Sequence, residues 1–224
     1  MPDQTDFSRF IRSVYAWMFC GLAITGVVAF GVSNNATLIN LLVNNAFAFY
    51  GLMILELILV FVISRGINRL SADTAIGLFL LYALLNGVTF SFIFLYYVGS
   101  SIALAFLVTA ATFGAVSLYG YLTKRDLTGL GHFAMMALFG LIIASVANIF
   151  FASQTLDWIT SYAGVLIFTA LTAYDTQKIK RLFYSLSQLP GSASKLAIIG
   201  ALNLYLDFIN LFLDILRIGG KKRN

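Results

Sequence analysis

Four carboxylates stand inside or at the edge of long apolar runs of this chain: Glu56, Asp175, Asp207 and Asp214. A charged side chain in hydrocarbon is costly, so such residues are functional candidates by default. The last apolar run is the most informative. Within it Asn203, Asp207, Asn210, Asp214 and Arg217 follow at spacings of 4, 3, 4 and 3. On a helix these positions fall within an arc of about 80°. The rest of the run is almost entirely Leu, Ile, Phe, Ala and Tyr. One narrow polar stripe on an apolar helix must face protein or water, so this helix lies inside a bundle or along a cavity. A hydrogen-bonded seam that only glues helices is the plainer alternative. Two carboxylates on the stripe weigh against glue alone.

Asp175 ends the preceding apolar run, next to Lys178. A cytoplasmic connection joins the two runs, so Asp175 and Asp207 are expected at similar depth near the cytoplasmic face. Two carboxylates in contact cannot both ionise easily; they share a proton and titrate as a pair. Such a pair would sense pH. A simple ion pair of Asp175 with Lys178 or Arg181 is the alternative. Glu56 could bind a cation, relay protons or stay protonated. With Asn203, Asn210 and Asp214 it would supply the oxygen atoms of an ion pathway, which suit a hard cation such as calcium. Arg65 and Arg69 stand at the cytoplasmic end of the Glu56 run, as counter-ions for the aspartates or as topology anchors. Asn86, Thr89 and Asn148 read as hydrogen-bonding glue between helices. His132 is the only histidine and Cys20 the only cysteine. They make neither a zinc ligand set nor a disulfide, and Cys20 reads as a core thiol. Gly129-Leu130-Gly131 is too short for a phosphate loop.

The elements that must position these residues are membrane spans. Of the residues, 60% are hydrophobic and 10% charged, against roughly 45–50% and about 25% in soluble domains. Spans are expected near Val14–Val32, Ala46–Ser64, Ala75–Val98, Ile102–Leu122, Phe133–Ala152, Trp158–Tyr174 and Leu196–Ile218. Each is long enough to cross a hydrocarbon core of about 30 Å as a helix. The reading is an all-α polytopic membrane protein forming one integral domain over residues 1–224. It has a short cytoplasmic N-terminal segment, 1–13, and a basic tail, 219–224. The first run reads as a retained span rather than a cleaved signal.

Lys and Arg alternate along the chain. They occur before the first span and in the second, fourth and sixth connections, and are missing from Ser33–Asn45, Gly99–Ser101 and Ser153–Asp157. That pattern puts the N-terminus in the cytoplasm. The tail, with Lys221, Lys222 and Arg223, conflicts with a seventh crossing; early loops dominate topology, so the crossing is preferred. Pro190 and Gly191 mark a turn before the last span. The Asn35-Ala36-Thr37 triplet is read as a chance glycosylation match. The net charge of +5 lies in short clusters between spans, which excludes a nucleic-acid surface.

Ala173-Tyr174-Asp175-Thr176-Gln177, then Gly200-Ala201-Leu202 and Leu204-Tyr205-Leu206-Asp207-Phe208-Ile209-Asn210-Leu211-Phe212, resemble the Bax inhibitor family of membrane proteins. Ser117-Leu118-Tyr119-Gly120-Tyr121 with Thr123-Lys124-Arg125-Asp126-Leu127 is similar to its bacterial members. The likeness covers nearly the whole chain. It implies seven helices with the last one central, and a pH-sensitive calcium leak with an aspartate pair as sensor, here Asp175 and Asp207. It implies an intramembrane glutamate, Glu56, and an arginine that latches the pair. The spacing departs at that arginine, and Arg65 and Arg69 are both candidates. Implied partners are the lipid bilayer, calcium ions and protons; no cofactor is implied.

The resemblance also allows a regulator without transport, linked to cell-death suppression or to a membrane-anchored AAA protease. The expected location is the bacterial inner membrane. An intramembrane aspartyl protease would use two such carboxylates as well. However, Leu204-Tyr205-Leu206 stands where that class has Gly-x-Gly, and the only prolines are Pro2 and Pro190. No enzymatic activity is expected.

Overall fold

The computed structural model describes residues 4–66, 70–186 and 192–223. The helices are α1 (Gln4–Ser33), α2 (Ala36–Asn44), α3 (Ala46–Gly66), α4 (Ala72–Tyr96), α5 (Gly99–Leu122), α6 (Thr128–Phe151), α7 (Gln154–Leu186) and α8 (Ser192–Gly219). All but α2 are long and apolar enough to cross a membrane, which makes seven spans among the described residues. A helix closes its backbone hydrogen bonds within itself, as hydrocarbon requires.

Three elements differ from the sequence expectation. α1 begins at Gln4 rather than near Val14, because Phe7 and Phe10 continue its buried face, so it includes most of the segment set apart as 1–13. The stretch read as the first outer loop contains α2. Its start is capped by Asn35, whose side-chain oxygen accepts the amide hydrogens of Thr37 (3.1 Å) and Leu38 (3.2 Å). The Asn35-Ala36-Thr37 triplet thus has a structural use as a helix cap. The sixth span does not stop at Tyr174. No Gly or Pro interrupts Asp175–Leu186, and α7 continues through it, so Asp175 is inside a helix and not at its end. The turn expected at Pro190 and Gly191 lies outside the described residues.

Two compact units divide the chain. The first comprises Met1–Tyr97, Leu182–Tyr205 and Arg223–Asn224; the second comprises Val98–Arg181 and Leu206–Lys222. In the first unit α1 packs on α4. Phe7, Phe10, Val14, Met18, Thr25, Ala29 and Val32 form one buried stripe at helical spacing. Cys20 falls off this stripe and is exposed. The expected core thiol is therefore an exposed one, because its neighbours Met18 and Gly21 take the buried face.

The helices approach closely at Gly87, where a Cβ would stand 2.8 Å from the Thr25 carbonyl oxygen. The Thr25 hydroxyl lies 2.8 Å from the Ala83 carbonyl, to which it donates, and 2.6 Å from the Tyr205 hydroxyl. Tyr205→Phe should lower stability by about 0.6 kcal/mol, and not by more than about 1.7, the range of such bonds in membranes. Thermal unfolding in detergent would measure it. An unchanged midpoint would mean that Thr25 needs only Ala83.

In the second unit the ring of Phe208 packs edge-on against Phe106 and Phe113, both at 5.4 Å between centroids. The Val98 amide donates to the Lys221 carbonyl (3.0 Å), and the Lys221 amide to the Ser101 hydroxyl (3.0 Å). The tail therefore lies at the α4–α5 connection, which carries no Lys or Arg. Of the most apolar stretch of α8, 67% is buried, against at most 39% for any other span. The last helix is the interior one, which agrees with a polar stripe that cannot face lipid.

Candidate functional site

The stripe of α8 enters the second unit at Asp207. This residue is buried, 5% exposed, and its Oδ2 has no hydrogen-bond partner among the described residues. Asp175 of α7 lies within electrostatic reach of it, as does Lys178. The structure thus brings together the two aspartates that the sequence paired. It also keeps the alternative partner, because the Lys178 ammonium stands 3.9 Å from the Asp175 carboxylate. That separation is too long for a hydrogen bond, so Lys178 supplies charge and little geometry. Its ammonium also sits 5.7 Å from the centre of the Tyr174 ring.

Further along α8, the Asn210 amide turns back to the Leu206 carbonyl of its own helix (2.8 Å). Asn203 is half-buried in the first unit. Asp214 is buried and has Arg217 at 3.7 Å. Glu56 is in the first unit and accepts a hydrogen bond from the Thr89 hydroxyl (2.6 Å). Tyr82 and Tyr205 lie in its electrostatic range. Asn86 donates to the Tyr82 hydroxyl (2.9 Å). Arg65 is exposed, with its guanidinium 5.1 Å from the centre of the Phe61 ring. Arg69 lies outside the described residues. His132 is exposed on α6, and among the described residues no group of His, Cys, Asp and Glu could hold a metal ion as a cluster.

What α7 rests on decides where Asp175 points. Gly120 of α5 admits the backbone of Ala173: a Cβ there would be 2.3 Å from the Ala173 carbonyl oxygen. Gly131 of α6 lies flat against the Tyr174 ring, with the nearest ring atom 2.4 Å from where a Cβ would be. The Ser117 and Thr176 hydroxyls meet at 2.9 Å. Small residues thus flank the aspartate on both neighbouring helices. Sequence reasoning missed them, although Gly120 and Gly131 sit in the segments it quoted.

A clamp holds the next turns. The Gln177 side chain accepts from the Leu127 amide (2.9 Å) and donates to the Arg125 carbonyl (2.8 Å). Arg181 donates to the Thr128 hydroxyl (2.7 Å) and pairs with the Asp126 carboxylate. Hydrogen bonds from the Thr128 side chain, from Arg181 and from the Thr128 amide hold the Asp126 carboxyl well below the usual aspartate range. A depressed carboxyl contributes to folding above the ordinary aspartate pKa of about 4, and the contribution fades as pH falls below that value. Asp126 therefore stays charged at neutral and mildly acidic pH. Asp126→Asn should speed tryptic cleavage at Lys124 and Arg125 severalfold at pH 7. Equal cleavage rates in the variant and the parent would show that Gln177 alone holds the loop.

Seven apolar spans, with buried carboxylates on the most interior one, define a polytopic integral membrane protein. Residues 7–224 match the family described as "Inhibitor of apoptosis-promoting Bax1", and the chain belongs to it. It is similar to the inner membrane protein YbhL of Escherichia coli strain K12, 48% identical over 224 residues, covering 100% of this chain and 96% of that protein. An uncharacterized protein of Borreliella burgdorferi is 43% identical over 217 residues, covering 97% of this chain and 94% of its own. The uncharacterized protein RP147 of Rickettsia prowazekii is 41% identical over 216 residues, covering 96% and 91%.

Proposed function

We propose that this protein is a pH-sensitive leak for calcium, gated by Asp175 and Asp207. The observation that carries the reading is the buried Asp207 carboxylate, with an unsatisfied oxygen and a second carboxylate in electrostatic reach inside the spanning region. One proton shared between the two relieves their repulsion. Loss of that proton leaves two like charges on adjacent helices in a medium of low dielectric constant. The repulsion separates α7 from α8 and admits a hydrated cation. Lys178, within electrostatic reach of both carboxylates, moderates this repulsion. Oxygen ligands suit calcium, and their small number keeps binding weak enough for passage.

The alternation of Lys and Arg supports a cytoplasmic N-terminus, with the aspartate pair toward the cytoplasm. The likeness to YbhL, an inner membrane protein of Escherichia coli, supports the inner membrane as the location. The test is calcium entry into liposomes that contain purified protein, scanned over pH. Flux that depends on pH supports the leak. No flux at any pH, from protein shown to be folded and inserted, would favour the second reading, a regulator that acts by binding a membrane-anchored protease.

A further inference from the structure

The α7–α8 seam of the second unit has polar groups at its other end as well. Asp157, Ser161 and Gly164 follow at spacings of 4 and 3 on α7, which puts them on one face within about 60°. That face meets Asp214. A Cβ on Gly164 would stand 2.0 Å from Asp214 Oδ2 and 2.7 Å from its Cγ, so the carboxylate lies directly against the glycine. The Asp214 side chain is 8% exposed, and its ion pair with Arg217, at 3.7 Å, is too long for a hydrogen bond. One turn away along the same face, Ser161 is 2% exposed and its hydroxyl has no hydrogen-bond partner among the described residues. At the rim Asp157 is exposed, with one oxygen held by the Asn148 amide (2.5 Å). Asp214 is seven residues from Asp207 on α8, about 10 Å along the axis. The two ends of the seam are therefore separate sites, with buried Phe168 and Leu171 between them on α7.

We infer that Asp214 and Ser161 form a second oxygen-donor site that takes a hard divalent cation, while Asp157, two turns along the same face, adds negative charge on the approach to it and is not a ligand. Three observations favour that class. The donors are carboxylate and hydroxyl oxygens, which hard cations prefer. Arg217 already offers one positive charge and is half exposed, 54% by side chain, so it can swing out. A monovalent ion would only exchange one charge for another, whereas a divalent ion outbids the guanidinium. Gly164 is the residue that makes the seat, since any side chain there would push the carboxylate out. The inference deepens the leak reading and rests on it for any part in transport; binding itself is tested apart from flux.

Trp158 is next to Asp157 on the first turns of α7, and it supplies the signal. Terbium, a luminescent stand-in for calcium, is titrated into purified protein in nanodiscs with excitation of tryptophan. Wild-type protein should show sensitised emission that calcium displaces. Asp214→Asn should abolish it, Ser161→Ala should weaken it severalfold, and Asp126→Asn, in the connection between α5 and α6, should leave it unchanged. Emission that survives Asp214→Asn, or that never appears in wild type, overturns the site. If Asp214→Asn does not fold, Ser161→Ala decides, and an unaltered terbium affinity there overturns the site equally. Terbium binding without calcium flux in liposomes would refute the leak and leave this site standing; pH-dependent flux without terbium binding would do the reverse.

Discussion

Liposomes carrying Asp207→Asn are expected to admit calcium at a low rate that no longer follows pH between roughly pH 5 and 8, the range in which a coupled carboxylate pair releases its shared proton. On the proposed mechanism the wild-type rate should rise with pH, because deprotonation would set Asp175 and Asp207 against each other. On the low-flux side of a one-proton step the rise approaches about tenfold per pH unit, since the deprotonated fraction itself changes by that factor. Asparagine keeps the shape of the side chain but cannot ionise, so the repulsion never develops. Asp175→Asn should have the same effect, because removing either carboxylate leaves a single charge beside Lys178. A wild-type pH profile in both variants would remove the pair from the mechanism. The Asp126→Asn variant is the control, because its carboxyl is held below the ordinary aspartate range and does not titrate in this window.

Gly120→Ala should cause the largest loss of stability for the smallest change in side chain. The added methyl would stand 2.3 Å from the Ala173 carbonyl oxygen and 3.0 Å from the Ala173 Cα. These are backbone atoms of a buried turn, and they cannot rotate away as a side chain could. Either α5 or α7 must shift. Overpacking of this kind costs about 1–3 kcal/mol, occasionally more. The intrinsic preference of helices for Ala over Gly, about 1 kcal/mol, offsets part of it. Gly114→Ala on the same helix isolates the effect, because a Cβ there meets nothing within 4 Å; it should be neutral or stabilising. Unfolding midpoints in detergent compare the two. Equal midpoints would contradict the close approach. Ala173 is two residues before Asp175, so a folded Gly120→Ala protein should also show an altered pH profile.

The spans and the stripe on the last helix were legible because each is a local pattern. Apolar runs long enough to cross a membrane show in any window of the chain, and 3.6-residue periodicity puts Asp207, Asn210 and Asp214 on one face without knowledge of what that face meets. The extent of α7 was less legible. Its last turns are polar, and their stability comes from contacts elsewhere: Gln177 and Arg181 with the 125–128 segment, and Phe183 with Phe7 (5.2 Å) and Phe10 (4.9 Å). Cys20 was misplaced because a uniformly apolar span gives hydropathy no means to separate its lipid face from its protein face. Polar and small residues make that separation, and on α1 the marker is Thr25.

By itself the sequence determined that this chain crosses a membrane as helices, that its last helix is interior, and which carboxylates are candidates. Those conclusions follow from the cost of exposing charge and backbone to hydrocarbon, a cost that each segment carries alone. Only the tertiary structure decided which groups are left unsatisfied and where helices touch. Among the described residues Asp207 Oδ2 and Ser161 Oγ have no hydrogen-bond partner, Gly120 and Gly164 receive a carbonyl and a carboxylate, and the basic tail ends at the α4–α5 connection. Each depends on residues dozens of positions apart in the chain, and no local pattern encodes which of several glycines or hydroxyls will face which partner.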